Sequence, residues 1–224
     1  MTSEKNDLLA FLRESIAELD FIAPEDIPDI DLYMDQVTTF MDTHLQHSRR
    51  RDGDKILTKT MINNYAKNKL LPTPEKKKYS REHILFLIMI YYYKGFLSLQ
   101  DIQTLLQPVI GHYYKQDGDA LGVADLYARQ QELSRLQMED LTNSLEDLSA
   151  AAASAFPEAE GQEQEFLQVF TLINLLAFDV YVRKQLIEKL IDRCLSDPKT
   201  AGKAAVKNAA KTAAKEKDNR KDAK

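Results

Sequence analysis

Apolar residues recur at three- and four-residue steps through most of this 224-residue chain, and that spacing constrains the fold more than any other feature. Leu8, Leu9, Leu12, Ile16 and Leu19 make one such stripe, which predicts an N-terminal amphipathic helix within residues 1–24. The prolines of "APEDIPDID" interrupt it. A second stripe, Leu32, Tyr33, Val37, Phe40, Met41 and Leu45, then predicts a helix over residues 31–47. With only seven Gly and seven Pro in the whole chain, little material is left for turns between strands. The expected fold is therefore all-α, mostly helical, with strands scarce.

Two apolar runs resemble membrane spans in composition. "ILFLIMIYYY" is too short to cross a bilayer, and "FLQVFTLINLLAFDVYV" is interrupted by Gln168, Thr171, Asn174 and Asp179. Both are expected to be buried helices, and no membrane partner is expected. The first residues are acidic and amphipathic, unlike a signal peptide. A single cysteine, Cys194, leaves no internal disulfide and suits a reducing compartment, so the expected location is cytoplasmic. Cys194 falls on an apolar stripe with Leu186, Ile187, Leu190 and Ile191, which predicts a buried, chemically inert thiol.

Charge is strongly partitioned. Residues 49–83 carry eleven Lys and Arg against four Asp and Glu, residues 199–224 carry nine against three, and the remainder is acidic enough to bring the chain to −5. Clustered basic charge in an acidic protein points to a polyanionic partner, against the alternative of a solvated basic loop. Within the first cluster, "SRRRDGDK" reads as a loop and Thr58 as the N-cap of a third helix. On that helix Met61, Ile62 and Tyr65 share one side, and Thr60, Asn63, Asn64 and Lys67 share the other. Asn offers a donor beside an acceptor and Lys supplies charge, the residue types that contact base edges and phosphates. "LLPTPEKKKYS" follows. Pro72 and Pro74 end the helix, and Lys76, Lys77 and Lys78 sit at an exposed tip before Tyr79 and a fourth helix starting near Ser80. A short lysine-tipped hairpin over 72–80 beside a helix over 58–69 makes a winged helix-turn-helix surface. The fourth helix is expected to run through Tyr93, with a turn at Gly95 and a fifth helix opened by a Ser98–Asp101 capping box.

In order and spacing, Tyr65, "LLPTP", Tyr79 and "GFLSLQDIQTLL" resemble the DNA-binding domain of MerR-type transcriptional regulators. The stretch "DIPDIDLYMDQVTTFMDTHL" also resembles an uncharacterised family of low-GC Gram-positive bacteria, of unknown function, built on such a domain. Together these resemblances span residues 25–110. They imply major-groove and backbone contact for Thr60, Asn63, Asn64, Tyr65 and Lys67, and phosphate contact for Lys76, Lys77, Lys78 and Arg81. With their neighbours Lys59 and Tyr79, these residues form the candidate DNA-binding set. The chain departs from the regulator pattern in its long "SRRRDGDKI" connection, in Lys69 where a Gly is usual, in Lys78 near the usual wing Arg, and in the extra residue of "GFLSL".

Residues 111–198 are expected to form a helical region for dimerisation or effector binding. Leu126, Leu133, Leu136, Leu141, Leu145 and Leu148 lie at helical spacing without a sustained heptad, residues 149–164 read as a linker, and a long apolar helix follows that needs an extensive partner surface. A homodimer is expected, its symmetry matching that of most operators. The Lys/Ala-rich residues 199–224 read as a disordered tail able to neutralise phosphates, or simply to solubilise. No phosphate loop, nucleophile elbow, zinc-protease motif or paired-cysteine knuckle occurs, so no enzyme, metal or cofactor is expected. Two functions fit: a sequence-specific transcriptional regulator binding double-stranded DNA, or a protein-interaction adaptor that keeps the winged fold without specific DNA binding.

Overall fold

The computed structural model describes residues 2–195, apart from 20, 52 and 117–119, with side chains described from Leu8 onward. The Lys/Ala-rich tail lies outside the described residues. Among those described, the chain is mostly helical with one two-stranded sheet, in the order α1 (Thr2–Ala17), β1 (Leu32–Tyr33), α2 (Met34–His44), α3 (Lys59–Lys67), β2 (Lys78–Tyr79), α4 (Arg81–Tyr93), α5 (Leu99–Tyr113), α6 (Val123–Ser154) and α7 (Gly161–Leu190). Short 3₁₀ turns occupy Pro24–Asp26 and Gln46–Ser48, and a π-helical turn, Ile191–Leu195, extends α7.

The core is organised on α4. Every residue from His83 to Ile90 is buried, because helices lie against more than one of its faces. Val37 and Met41 of α2, Ile62 of α3, Ile102 and Leu106 of α5, and Val123 and Tyr127 of α6 complete the same cluster. The hydroxyl of Tyr127 donates to the Ile22 carbonyl at 2.6 Å, fixing the start of the core to the start of α6. Cap positions read from the sequence hold: Thr58 Oγ1 accepts from the Met61 amide at 3.2 Å, and Ser98 and Asp101 exchange reciprocal bonds.

Beyond the core, α6 and α7 pair as a helical hairpin, and α1 packs along α6, with Arg13 paired to Glu146. Small Ser149 and Ala152 of α6 are buried in this region. The far end of α7 returns to the core, where Ile191 is buried near α5.

Four expectations are corrected. Leu32 and Tyr33 begin no helix: they form β1, paired antiparallel with β2 through Leu32–Tyr79 and Tyr33–Lys78. The linker over 149–164 shrinks to residues 155–160, because the alanine run has the highest helix propensity and extends α6 to Ser154. The apolar α7 is not a buried helix: its most apolar 18-residue window is only 6% buried, since the described residues supply packing on one side alone. By length and composition this helix could also cross a membrane. Cys194 is exposed, because Ile191 takes the inward position and Cys194 does not share it.

Candidate nucleic-acid interface

Helix α3 presents the two faces that its sequence dictates. Ile62 and Tyr65 are buried and Met61 packs against the core, while Lys59, Thr60, Asn63, Asn64 and Lys67 are exposed. The helix ends in a Schellman arrangement: the Leu70 amide donates to the Tyr65 carbonyl at 2.9 Å and the Lys69 amide to that of Ala66 at 3.1 Å. This closure places Lys69 at φ 58°, a left-handed conformation that glycine adopts without cost. The Gln107 amide then donates to the Lys69 carbonyl at 2.6 Å, tying the end of α3 to α5.

The expected wing is smaller than a ladder. Pro72 and Pro74 lack amide donors, so residues 72–74 cannot pair along a strand, and β2 finds its partner in β1 instead. What remains of the hairpin is one bridge, Glu75 to Lys78, closed by the Lys78 amide donating to the Glu75 carbonyl at 2.8 Å. Between them stand Lys76 at φ 49° and Lys77 at φ 64°. Two successive left-handed residues define a type I′ turn, the connection that normally selects Asn-Gly.

A chain of contacts joins this tip to α3. Lys78 Nζ lies 5.4 Å from the centre of the Tyr33 ring, Tyr33 caps α2, and Asp35 in the first turn of α2 pairs with Lys59 at the start of α3. On the other side Lys115 pairs with Glu75 and holds its carboxyl below the ordinary value. Among the described residues Lys67, Lys69, Lys76 and Lys77 form no ion pair, so their charge faces solvent.

Three members of the candidate set sit elsewhere than expected. Tyr65 and Tyr79 are 4% and 3% exposed, and burial pushes both phenols above their ordinary values; neither ring reaches the surface to touch a nucleic acid. Arg81 turns inward, one guanidinium nitrogen donating to the Pro24 carbonyl at 2.8 Å and another lying 3.5 Å from Asp29. It braces the segment before β1 and is spent there. Lys69, Arg50 and Arg51 are exposed in the same basic stretch, though the candidate set omits them; the signal for them was the local charge count. Behind the tip His83 is buried beside Tyr79 and Tyr114, its Nδ1 accepting from the Ser80 amide at 3.1 Å. Among the described residues no three His, Cys, Asp or Glu side chains gather into a metal site.

The fold is thus a helical core carrying a two-stranded sheet and an exposed basic helix and turn. A family described only as a domain of unknown function, DUF1836, matches residues 22–130, or 109 of the 224. Those limits coincide with structure: Ile22 and Tyr127, joined by their hydrogen bond, stand at the two ends of the matched core. No curated protein and no solved structure matches the chain.

Proposed function

We propose that this protein is a cytoplasmic, dimeric, sequence-specific DNA-binding regulator, with α3 as the recognition helix and the Glu75–Lys78 turn as a reduced wing, in the manner of the MerR-type domains it resembles. The observation that carries the reading is the identity of the left-handed residues. Among the described non-glycine residues with positive φ, all four are lysines: Lys69, Lys76, Lys77 and Lys115. Each such position costs about 1 kcal/mol relative to glycine; Lys69 closes the end of α3, and Lys76 and Lys77 form the tip of the Glu75–Lys78 turn. A charge kept where the backbone disfavours its residue is a charge with a task, and gripping phosphates is the task that lysines at a turn beside an Asn- and Thr-bearing helix can perform.

The dimer rests on α7. Its exposed apolar side chains need cover, and a second copy covers them without the penalty a bilayer would impose. Helix α6 runs alongside α7 and exposes Glu139, Asp140, Glu146 and Asp147. Carrying such carboxylates into hydrocarbon costs about 2.5–3.5 kcal/mol each.

Selection from genomic fragments in excess nonspecific duplex tests the reading. A single enriched motif, an inverted repeat, is the expected result. Replacing Lys76, Lys77 and Lys78 with Ala should lower the slope of log K against log salt by about 0.9 for each phosphate no longer neutralised, and Asn63→Ala should change the preferred sequence. Binding without a motif, unchanged in both variants, would leave the chain an interaction adaptor.

A further inference from the structure

A cleft of about 580 Å³ opens between the C-terminal end of α4 and the first half of α6, with Phe21 at one edge. Tyr92, Tyr93 and Met89 form one wall and Tyr127 with the following turns of α6 the other. Among the described residues its lining contains no Asp, Glu, Lys or Arg, although 29% of the chain is charged and α6 itself carries many such residues. Tyr127 presents a ring whose hydroxyl is already committed to Ile22. Phe21 is 45% exposed at the edge, in ring contact with Tyr92 at 6.4 Å between centres, and Leu133 and Leu136 are more than half exposed at the mouth. The polar side chains that α6 contributes to the cleft are neutral: Gln130, Gln131, Ser134 and Gln137, of which Gln131 bonds to the Tyr127 hydroxyl. An apolar, aromatic concavity with a few neutral hydrogen-bonding groups has the size and chemistry of a small-molecule site.

We propose that this cleft binds an uncharged, ring-bearing small molecule, held between the aromatic wall of α4 and the glutamine-bearing face of α6. No described lining group is ionised, so anionic or cationic ligands would lose hydration on entry without a counter-charge from these walls. Rings are favoured because Phe21, Tyr92, Tyr93 and Tyr127 offer faces and edges on more than one side. A helix is too large an occupant: at about 10 Å across, little more than one turn would fill the volume. The ligand would bridge the core helix α4 to the arm helix α6, so occupancy couples the two halves of the chain. This inference stands on the cleft alone and does not require the DNA-binding reading.

The test is titration of the full chain with N-phenyl-1-naphthylamine, a neutral aromatic dye that fluoresces when removed from water, beside its anionic relative 8-anilinonaphthalene-1-sulfonate. Saturable binding of one neutral dye per chain is expected, with weaker binding of the sulfonate. The paired variant Gln130→Glu and Gln137→Glu changes almost no volume, and should weaken the neutral dye by about tenfold or more. Phe178→Ser with Leu186→Ser, on the exposed side of α7, should leave its affinity unchanged. Circular dichroism confirms that each variant keeps its helices. Equal affinity in the Gln130/Gln137 variant, or loss of binding in the α7 variant instead, would place the dye outside this cleft and overturn the proposal.

Discussion

Lysine is a poor choice for a left-handed backbone, which makes Lys76 and Lys77 a direct test of what the turn is for. Replacing them by Asn and Gly gives the type I′ turn its preferred residues and should raise stability by about 1–2 kcal/mol, read from urea denaturation. The same variant removes two unpaired cations, so under the proposed regulator reading DNA affinity should fall as stability rises. Parallel changes in both would show that the lysines serve the fold. A second residue carries a pH signature. His83 is buried, and desolvation holds its imidazole below its ordinary value of 6.5. Above that value both folded and unfolded chains carry neutral imidazole. As pH falls through it, only the unfolded chain takes up a proton, so stability is full above the unfolded value and declines until the folded value is passed. Glu75, also depressed, contributes its own loss only below 4.5, where unfolded carboxyls titrate. A decline between about pH 7 and pH 5 that is present in the native chain and absent in His83→Gln is expected from denaturation across that range; equal slopes would clear His83 of the effect.

Among the helices and strands, what could be read in advance was whatever depends on neighbours in sequence. Thr58 and Ser98 announce caps because a side-chain oxygen need only reach three residues ahead, and the faces of α3 follow from a 100° step. Removing the α3 cap by Thr58→Ala should cost about 1 kcal/mol and loosen the helix that carries Asn63, a loss measurable by thermal melting and distinguishable from Asn63→Ala, which touches no cap. The partners of β1 were not legible, since Leu32 and Tyr79 are joined only through the tertiary fold. Periodicity placed Tyr65 in the core while the family resemblance placed it on DNA; the structure agrees with periodicity, because a motif residue can be retained for packing as readily as for contact. The outward turn of Cys194 escaped notice because Ile191 opens a π-helical turn there, and a wider turn shifts every later residue off the 100° register.

The molecule as a whole is shaped by α7, an arm that the described residues do not finish covering. Phe166, Ile173 and Val180 are exposed along α7 at seven-residue steps, with Val169, Phe170 and Tyr181 exposed beside them. Phe166 and Phe170 already stack, with ring centres 5.9 Å apart, so the stripe is ordered before any partner arrives. Further along, Phe178, Val182, Leu186 and Leu190 form a second exposed row because the inward positions pass to Ile187 and Ile191. Composition alone could not distinguish a helix buried by its own chain from one awaiting a copy, since both are apolar all round. If a second copy seats on the first stripe, each phenyl or isobutyl-sized side chain buried contributes about 1.5–3 kcal/mol. Phe170→Ser with Ile173→Ser removes two of these from each copy, enough to raise the dimer dissociation constant by several orders of magnitude. Sedimentation equilibrium should therefore show a dimer for the native chain and a monomer of unchanged helicity for the variant. If the regulator reading holds, its DNA affinity should fall with it, because two half-sites bound by tethered domains gain from effective concentration and separate monomers do not. A native chain that sediments as a monomer but floats with lipid vesicles would assign α7 to a membrane and remove the second copy from the reading.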